Sequence, residues 1–125
     1  IFVNKEISEL ISGLSKATKF LNKGGKLIVI SFHSIEDKIV KFYFSNYSKN
    51  RSKGSRYYPA TKNYKLLFEK YKNKIIRPTT AEIKKNNPSR SAKLRFATRS
   101  KENFFNPNEF KEKFLNYLKL ENRYA

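Results

Sequence analysis

The stretch "KLIVISF", Lys26 to Phe32, constrains this chain more than any other. It is a short β-branched run without polar alternation. That pattern suits a strand covered on both faces, as in a parallel sheet. Such a strand needs a neighbour along each edge, because unpaired backbone groups at a buried edge are costly. Two later segments are strand candidates, "YKLLFEK" at Tyr64 to Lys70 and "SAKLRFATR" at Ser91 to Arg99. Together they supply one side at most, so the sheet is expected to be incomplete.

The elements around this strand follow from spacing. Asn4 is a good N-cap, and Glu6 suits the positive first turn of a helix. Ile7, Leu10, Ile11, Leu14, Ala17 and Leu21 then keep one apolar face. Gly24 and Gly25 stop that helix. After the strand, Ser34 and Asp37 have the spacing of a capping box. Ile35, Ile39, Phe42, Tyr43 and Tyr47 carry the second helix. Helix, glycine turn, strand and helix make an α/β unit.

The later chain is more mixed. Residues 48–63, "SKNRSKGSRYYPATKN", read as a basic surface loop. "RPTTAEIKKNNP" holds a short helix capped by Thr79 or Thr80. In "SAKLRFATR", Ala92, Leu94 and Phe96 fall on one face, and Lys93, Arg95 and Arg99 on the other. This alternation predicts an antiparallel strand near a sheet edge, with its charges outward. Asn106-Pro107-Asn108-Glu109 opens a last helix, with Phe110, Phe114, Tyr117 and Leu118 as its stripe.

Charge narrows the function. Lys and Arg outnumber Asp and Glu by 28 to 10 over 125 residues, a net charge of +18. An excess of this size favours an anionic partner, most often nucleic acid. AT-rich codon usage is the competing source of so many lysines. With no Cys and one His, thiolate chemistry and cysteine- or histidine-based zinc cages are excluded. No signal peptide or membrane-length apolar run is visible, so the chain reads as cytoplasmic. It also lacks Met, which suggests a C-terminal fragment entered in mid-protein.

The only His and the only Asp, His33 and Asp37, sit where the strand ends and the second helix begins. In open parallel sheets, ligands bind at the carboxyl ends of strands. Ser34, Glu36 and Asp37 share the first helical turn beyond that edge. On spacing alone Asp37 is equally a capping carboxylate, and His33 is more readily a packed or surface histidine that orders the turn.

Three segments carry a family resemblance. They are "VN-E---L" at Val3 to Leu10, "L--GGKLIVISFHSIEDKIVK" at Leu21 to Lys41, and "RSAKLR" at Arg90 to Arg95. Together they resemble the C-terminal part of the bacterial 16S rRNA (cytosine-N4)-methyltransferase family, also called MraW or RsmH. The resemblance implies the C-terminal part of a class I, Rossmann-like, S-adenosylmethionine-dependent methyltransferase with an incomplete sheet here. Residues 1–101 would belong to the catalytic domain, and 102–125 would be a helical extension. "YKLLFEK" and "SAKLRFATR" would form the closing hairpin. The chain departs from the family's "NPR-RSAKLR", carrying Pro88 where that pattern has Arg.

The implied reaction makes sense of the junction. A cytosine amine is a weak nucleophile, because its lone pair is delocalised into the ring. It needs orientation, acceptors for its hydrogens and a route for the proton lost. Imidazole suits that last task. His33 and Asp37 are therefore the catalytic candidates, with Asn4, Ser34 and Glu36 on the substrate side. The candidates for RNA contact are Arg90, Lys93 and Arg95, and, in the loop, Arg51, Lys53 and Arg56 beside Tyr57. The four glycines, at 13, 24, 25 and 54, form no Gly-rich strand-to-helix turn, so the cofactor is expected to be held mainly by an upstream half. The implied partner is 16S rRNA or the small ribosomal subunit. A homodimer is among the assemblies the chain allows, and no membrane or metal is called for. Two alternatives are a non-enzymatic basic RNA-binding or ribosome-associated module, and a class I methyltransferase with another target.

Overall fold

Local sequence sets the first half of the fold. The computed structural model describes residues 4–48, 66–69, 71–114 and 116. Helix α1, Asn4–Phe20, carries Glu6 in its first turn and buries Ile7, Ile11, Leu14 and Thr18. Ala17, expected on that face, is exposed. The glycines do not cap this helix, which ends at Phe20; they close a separate turn after it, where the Gly25 N–H donates to the Asn22 carbonyl at 2.8 Å. Gly24 takes a left-handed φ of 87°, which a side chain would strain. At Gly25 a Cβ would come within 2.9 Å of the Leu21 side chain. The Gly24 N–H donates to the Arg99 carbonyl at 2.9 Å, and the Arg99 N–H to the Gly25 carbonyl at 2.7 Å. The turn is thereby stitched to a segment more than seventy residues later in the chain.

Strand β1, Lys26–Ser31, leads into helix α2, Ser34–Asn46. Helix α3, Thr80–Lys85, is capped by Thr79, whose Oγ1 accepts from the Glu82 N–H at 3.1 Å. A 3-10 turn, Asn87–Ser91, then feeds strand β2, Lys93–Thr98. Residues 108–114 form helix α4, with Phe110 and Phe114 buried. Tyr117 and Leu118 of its expected stripe lie outside the described residues. No helix among the described residues is long and apolar enough to cross a membrane.

The sheet differs from expectation in three respects. First, the antiparallel pairing expected of β2 is made with β1 itself, in a two-stranded sheet among the described residues. Among the described residues the proposed closing hairpin shows one bridge, between Phe68 and Arg99, and residues 66–69 form no strand; Tyr64, Lys65 and Lys70 lie outside the described residues. Secondly, β1 is not covered on both faces by the described residues. Ile28 and Ile30 are 57% and 55% exposed, and Phe32 is exposed beside them. Thirdly, β2 is turned over. Paired residues share a face of an antiparallel sheet. Leu94 and Phe96 pair with Ile30 and Ile28 on the outer face, while Arg95 and Ala97 pair with Val29 and Leu27 on the inner one. The charged face of β2 therefore points inward, because buried partners for its arginines wait there. Arg99 donates to the carbonyls of Leu67 and Ser100 at 3.1 and 3.2 Å.

The core lies between α1, α2, α4 and the inner sheet face. Its centre is aromatic. Tyr43 on α2 is fully buried, with the rings of Phe44, Tyr47, Phe68 and Phe110 at 4.7–6.0 Å between centroids. Its hydroxyl lies 2.6 Å from Thr18 Oγ1, which donates to the Leu14 carbonyl at 2.7 Å. Burial pushes the Tyr43 phenol well above its ordinary range, so it stays neutral and acts as a hydrogen-bonding group. Tyr47 ties α4 to α2, its hydroxyl accepting from the Phe110 N–H at 3.1 Å.

This arrangement separates the two roles of Tyr43. In urea unfolding, Tyr43→Phe is expected to cost about 1 kcal/mol, the loss of one buried hydrogen bond. Tyr43→Ala is expected to cost about 3–5 kcal/mol, because it also leaves a cavity among the rings. Equal costs would contradict the assignment.

Candidate functional site

The strand-to-helix junction is built from four consecutive decisions of the backbone. β1 ends at Ser31, which is buried. His33 is extended, with φ −124° and ψ 147°, and stands at the N-cap of α2. Its carbonyl accepts the Asp37 N–H at 3.1 Å, which starts the helix. Its imidazole is exposed and makes no capping bond. Ser34 is the first helical residue, also exposed, so the expected capping box does not form. Glu36 instead reaches back, its Oε1 accepting from the Phe32 N–H at 3.3 Å. Two carboxylates, Glu36 and Asp37, lie in the positive first turn.

Asp37 is drawn inward by Arg95. Arg95 Nε donates to Oδ1 at 2.7 Å, and one terminal nitrogen to Oδ2 at 3.0 Å, a bidentate pair. The other terminal nitrogen donates to the Tyr71 hydroxyl at 2.8 Å and Asn73 Oδ1 at 2.9 Å. Arg95 is only 3% exposed. The Arg95 hydrogen bond holds the Asp37 carboxyl below its ordinary range, against the opposing effect of burial. The same bond raises the Arg95 guanidinium. The result is a fixed charge pair that fastens the first turn of α2 to the middle of β2.

This geometry corrects one expectation. Arg95 does not present its guanidinium to a phosphate, because its donors are spent on Asp37, Tyr71 and Asn73. Of the cationic set, Arg90 is exposed on the 3-10 turn and Lys93 is half-buried at the start of β2. Arg51, Lys53, Arg56 and Tyr57 lie outside the described residues. Asn4 is the first residue of α1, on a separate element. The structure thus brings His33, Ser34, Glu36 and Asp37 onto one turn. Tyr71 and Asn73 were not legible as partners, since they fall in a short polar segment without periodicity.

The described residues do not form a cradle for a nucleoside cofactor such as S-adenosylmethionine. There is no glycine between β1 and α2, so backbone cannot approach a ligand closely there. The two carboxylates at that edge are engaged, Glu36 with the strand end and Asp37 with Arg95.

Breaking the pair from one side should be severe. Asp37→Asn leaves Arg95 buried without its counter-charge and is expected to cost about 3–5 kcal/mol in urea unfolding near neutral pH. Asp37 binds its proton less readily folded than unfolded. Its contribution is therefore complete above the ordinary value of 3.8 and fades as pH falls below it toward the depressed folded value. The gap between the two proteins should narrow over that acid range. A gap independent of pH would contradict the pairing.

Comparison with known proteins identifies the family. The MraW methylase family model matches residues 1–100. The chain is 48% identical over 95 residues to the ribosomal RNA small subunit methyltransferase H of Ehrlichia ruminantium (strain Gardel), covering 76% of this chain and 30% of that protein. It is 42% identical over 100 residues to the protein of the same name from Cereibacter sphaeroides (strain ATCC 17029 / ATH 2.4.9), covering 80% of this chain and 30% of that protein. The Jannaschia sp. (strain CCS1) relative of that name is 45% identical over 100 residues, covering 80% and 31%. The chain therefore spans about 30% of the length of the relatives it matches. By the match over residues 1–100, the chain belongs to the MraW methylase family.

Proposed function

We propose that this chain is the C-terminal part of a cytoplasmic, Rossmann-like, S-adenosylmethionine-dependent methyltransferase. Its substrate is the N4 amine of a cytidine in the decoding region of 16S rRNA, presented within the small ribosomal subunit. One observation carries the proposal beyond family membership. An exposed imidazole stands at the carboxyl end of β1, on a turn locked from behind by a buried ion pair. That is a free acid–base group on a rigid support, which catalysis requires.

In this scheme His33 touches the acceptor base and takes the proton that the amine loses. Ser34 lies beside it with its hydroxyl exposed, available to hold the base edge. Glu36 fixes the end of the strand. Asp37 acts through the helix turn that it anchors, because both of its oxygens are taken by Arg95. The exposed apolar outer face of the sheet supports the view that further elements of the protein pack there. The cofactor is held mainly by those elements, since the described residues of this chain do not fit it.

Two measurements test the proposal. In the intact protein, His33→Ala should lower kcat for small-subunit methylation by roughly 10²-fold, with little change in KM. Normal kcat would contradict the role of His33. In equilibrium dialysis, the 125-residue chain alone should retain little labelled S-adenosylmethionine. Tight binding would contradict the division of labour.

A further inference from the structure

Helix α4 lies beyond the residues matched by the family, yet it completes a feature of α2. Phe110 and Phe114 pack on Phe42, with ring centroids 6.2 and 5.6 Å away. Between the two helices runs an open groove of about 520 Å³. Ile35, Phe42 and Phe114 make its floor, and Lys38, Lys41 and Lys113 stand around it. Ile35, Lys38, Phe42 and Ser45 follow at helical spacing, so they share one stripe of α2. Lys113 Nζ sits 3.9 Å from the centre of the Phe42 ring and 5.7 Å from that of Phe114. The cation is thus held over the floor by the ring faces.

The charge balance of the groove is one-sided. No acidic residue is among the described residues that line it. Asp37 is on the same helix, but its carboxylate is buried against Arg95. Asp37 offsets Lys41 in part, and the remaining excess of positive charge around the groove costs repulsion that a bound anion relieves. The volume suits a small ligand or one unit of a polymer. An apolar aromatic floor with cations at the rim matches an anion that alternates charge with flat unsaturated faces.

We propose that this groove binds single-stranded RNA, with phosphates on Lys38, Lys41 and Lys113 and an unpaired base taking the place over the Phe42 ring that the Lys113 ammonium leaves when it turns to a phosphate. The proposal rests on the RNA-directed function above, but it concerns a surface separate from the His33 turn. An acidic peptide supplies charge without flat faces and leaves the floor unused. The net charge of +18 favours a polyanion as well.

The test is fluorescence anisotropy of the full 125-residue chain with a fluorescein-labelled, mixed-sequence single-stranded RNA, over a series of salt concentrations. The triple variant Lys38→Gln/Lys41→Gln/Lys113→Gln should bind about tenfold or more weakly. Its slope of log K against log salt should shrink by about 2, the share of three single-strand phosphate contacts. The control Lys16→Gln/Lys19→Gln/Lys84→Gln removes equal charge from exposed positions elsewhere and should leave the slope unchanged. Ser45→Tyr, which fills the groove without altering charge, should also weaken binding. All these positions are at or near the surface, and circular dichroism checks that each variant folds.

Equal losses in the two triple variants would overturn the proposal, since the affinity would then be diffuse. Unchanged RNA binding with lost affinity for a polyglutamate peptide would overturn it in favour of a protein partner. No RNA binding by the unaltered chain would overturn it outright. Groove-dependent RNA binding alongside a fully active His33→Ala protein would uphold the groove and sink only the role assigned to His33.

Discussion

Arg95 is a full positive charge held away from water, and the fold around the junction follows from what it requires. A buried guanidinium is tolerated only when its donors are matched. Here the matches come from two separate segments: Asp37 on α2, and Tyr71 and Asn73 together before α3. Meeting them fixes which face of β2 turns inward. It also fixes the rotation of α2 about its first turn. The pair is not a large net source of stability, since desolvation offsets most of its attraction. Its effect is on geometry, because few other arrangements give four of the five guanidinium N–H groups a partner.

The consequence for function lies one turn away. With Asp37 committed to Arg95, the first turn of α2 has little freedom, and His33 is left exposed at its N-cap. The same turn thus carries a structural charge and a free imidazole. The two residues that looked alike in the sequence, the sole acid of its kind and the sole imidazole, have different jobs. Asp37 supports, and under the proposed function His33 meets the substrate. On the far side of the sheet, Ile28, Ile30 and Phe32 keep an apolar face exposed among the described residues. A face of this kind fits a chain that spans about 30% of its relatives.

What was legible in the sequence was local. The periodicity of α1 and α2, the Gly24 turn and the Thr79 cap each depend on residues within a few positions. The two faces of β1 were not legible, because an unbroken apolar run reads the same whether one side is covered or both. β2 failed for a stronger reason. Its alternation of charged and apolar residues ordinarily places charge in water, yet Arg95 and Arg99 are buried. The partner that reverses the rule for Arg95 lies 58 residues away. Likewise the "S-x-x-D" signal was present, but Arg95 outcompetes the helix end for the carboxylate. The family segments carried the family membership that spacing alone left open.

The most direct measurement is a double-mutant cycle on Asp37 and Arg95, using Asp37→Ala, Arg95→Ala and the double variant in urea unfolding. If the pair organises the junction, each single change is costly and the double costs little more than either. The coupling should then be about 2 kcal/mol or more. Additive losses, with coupling below about 0.5 kcal/mol, would mean that the two charges act independently and that the junction is held by something else.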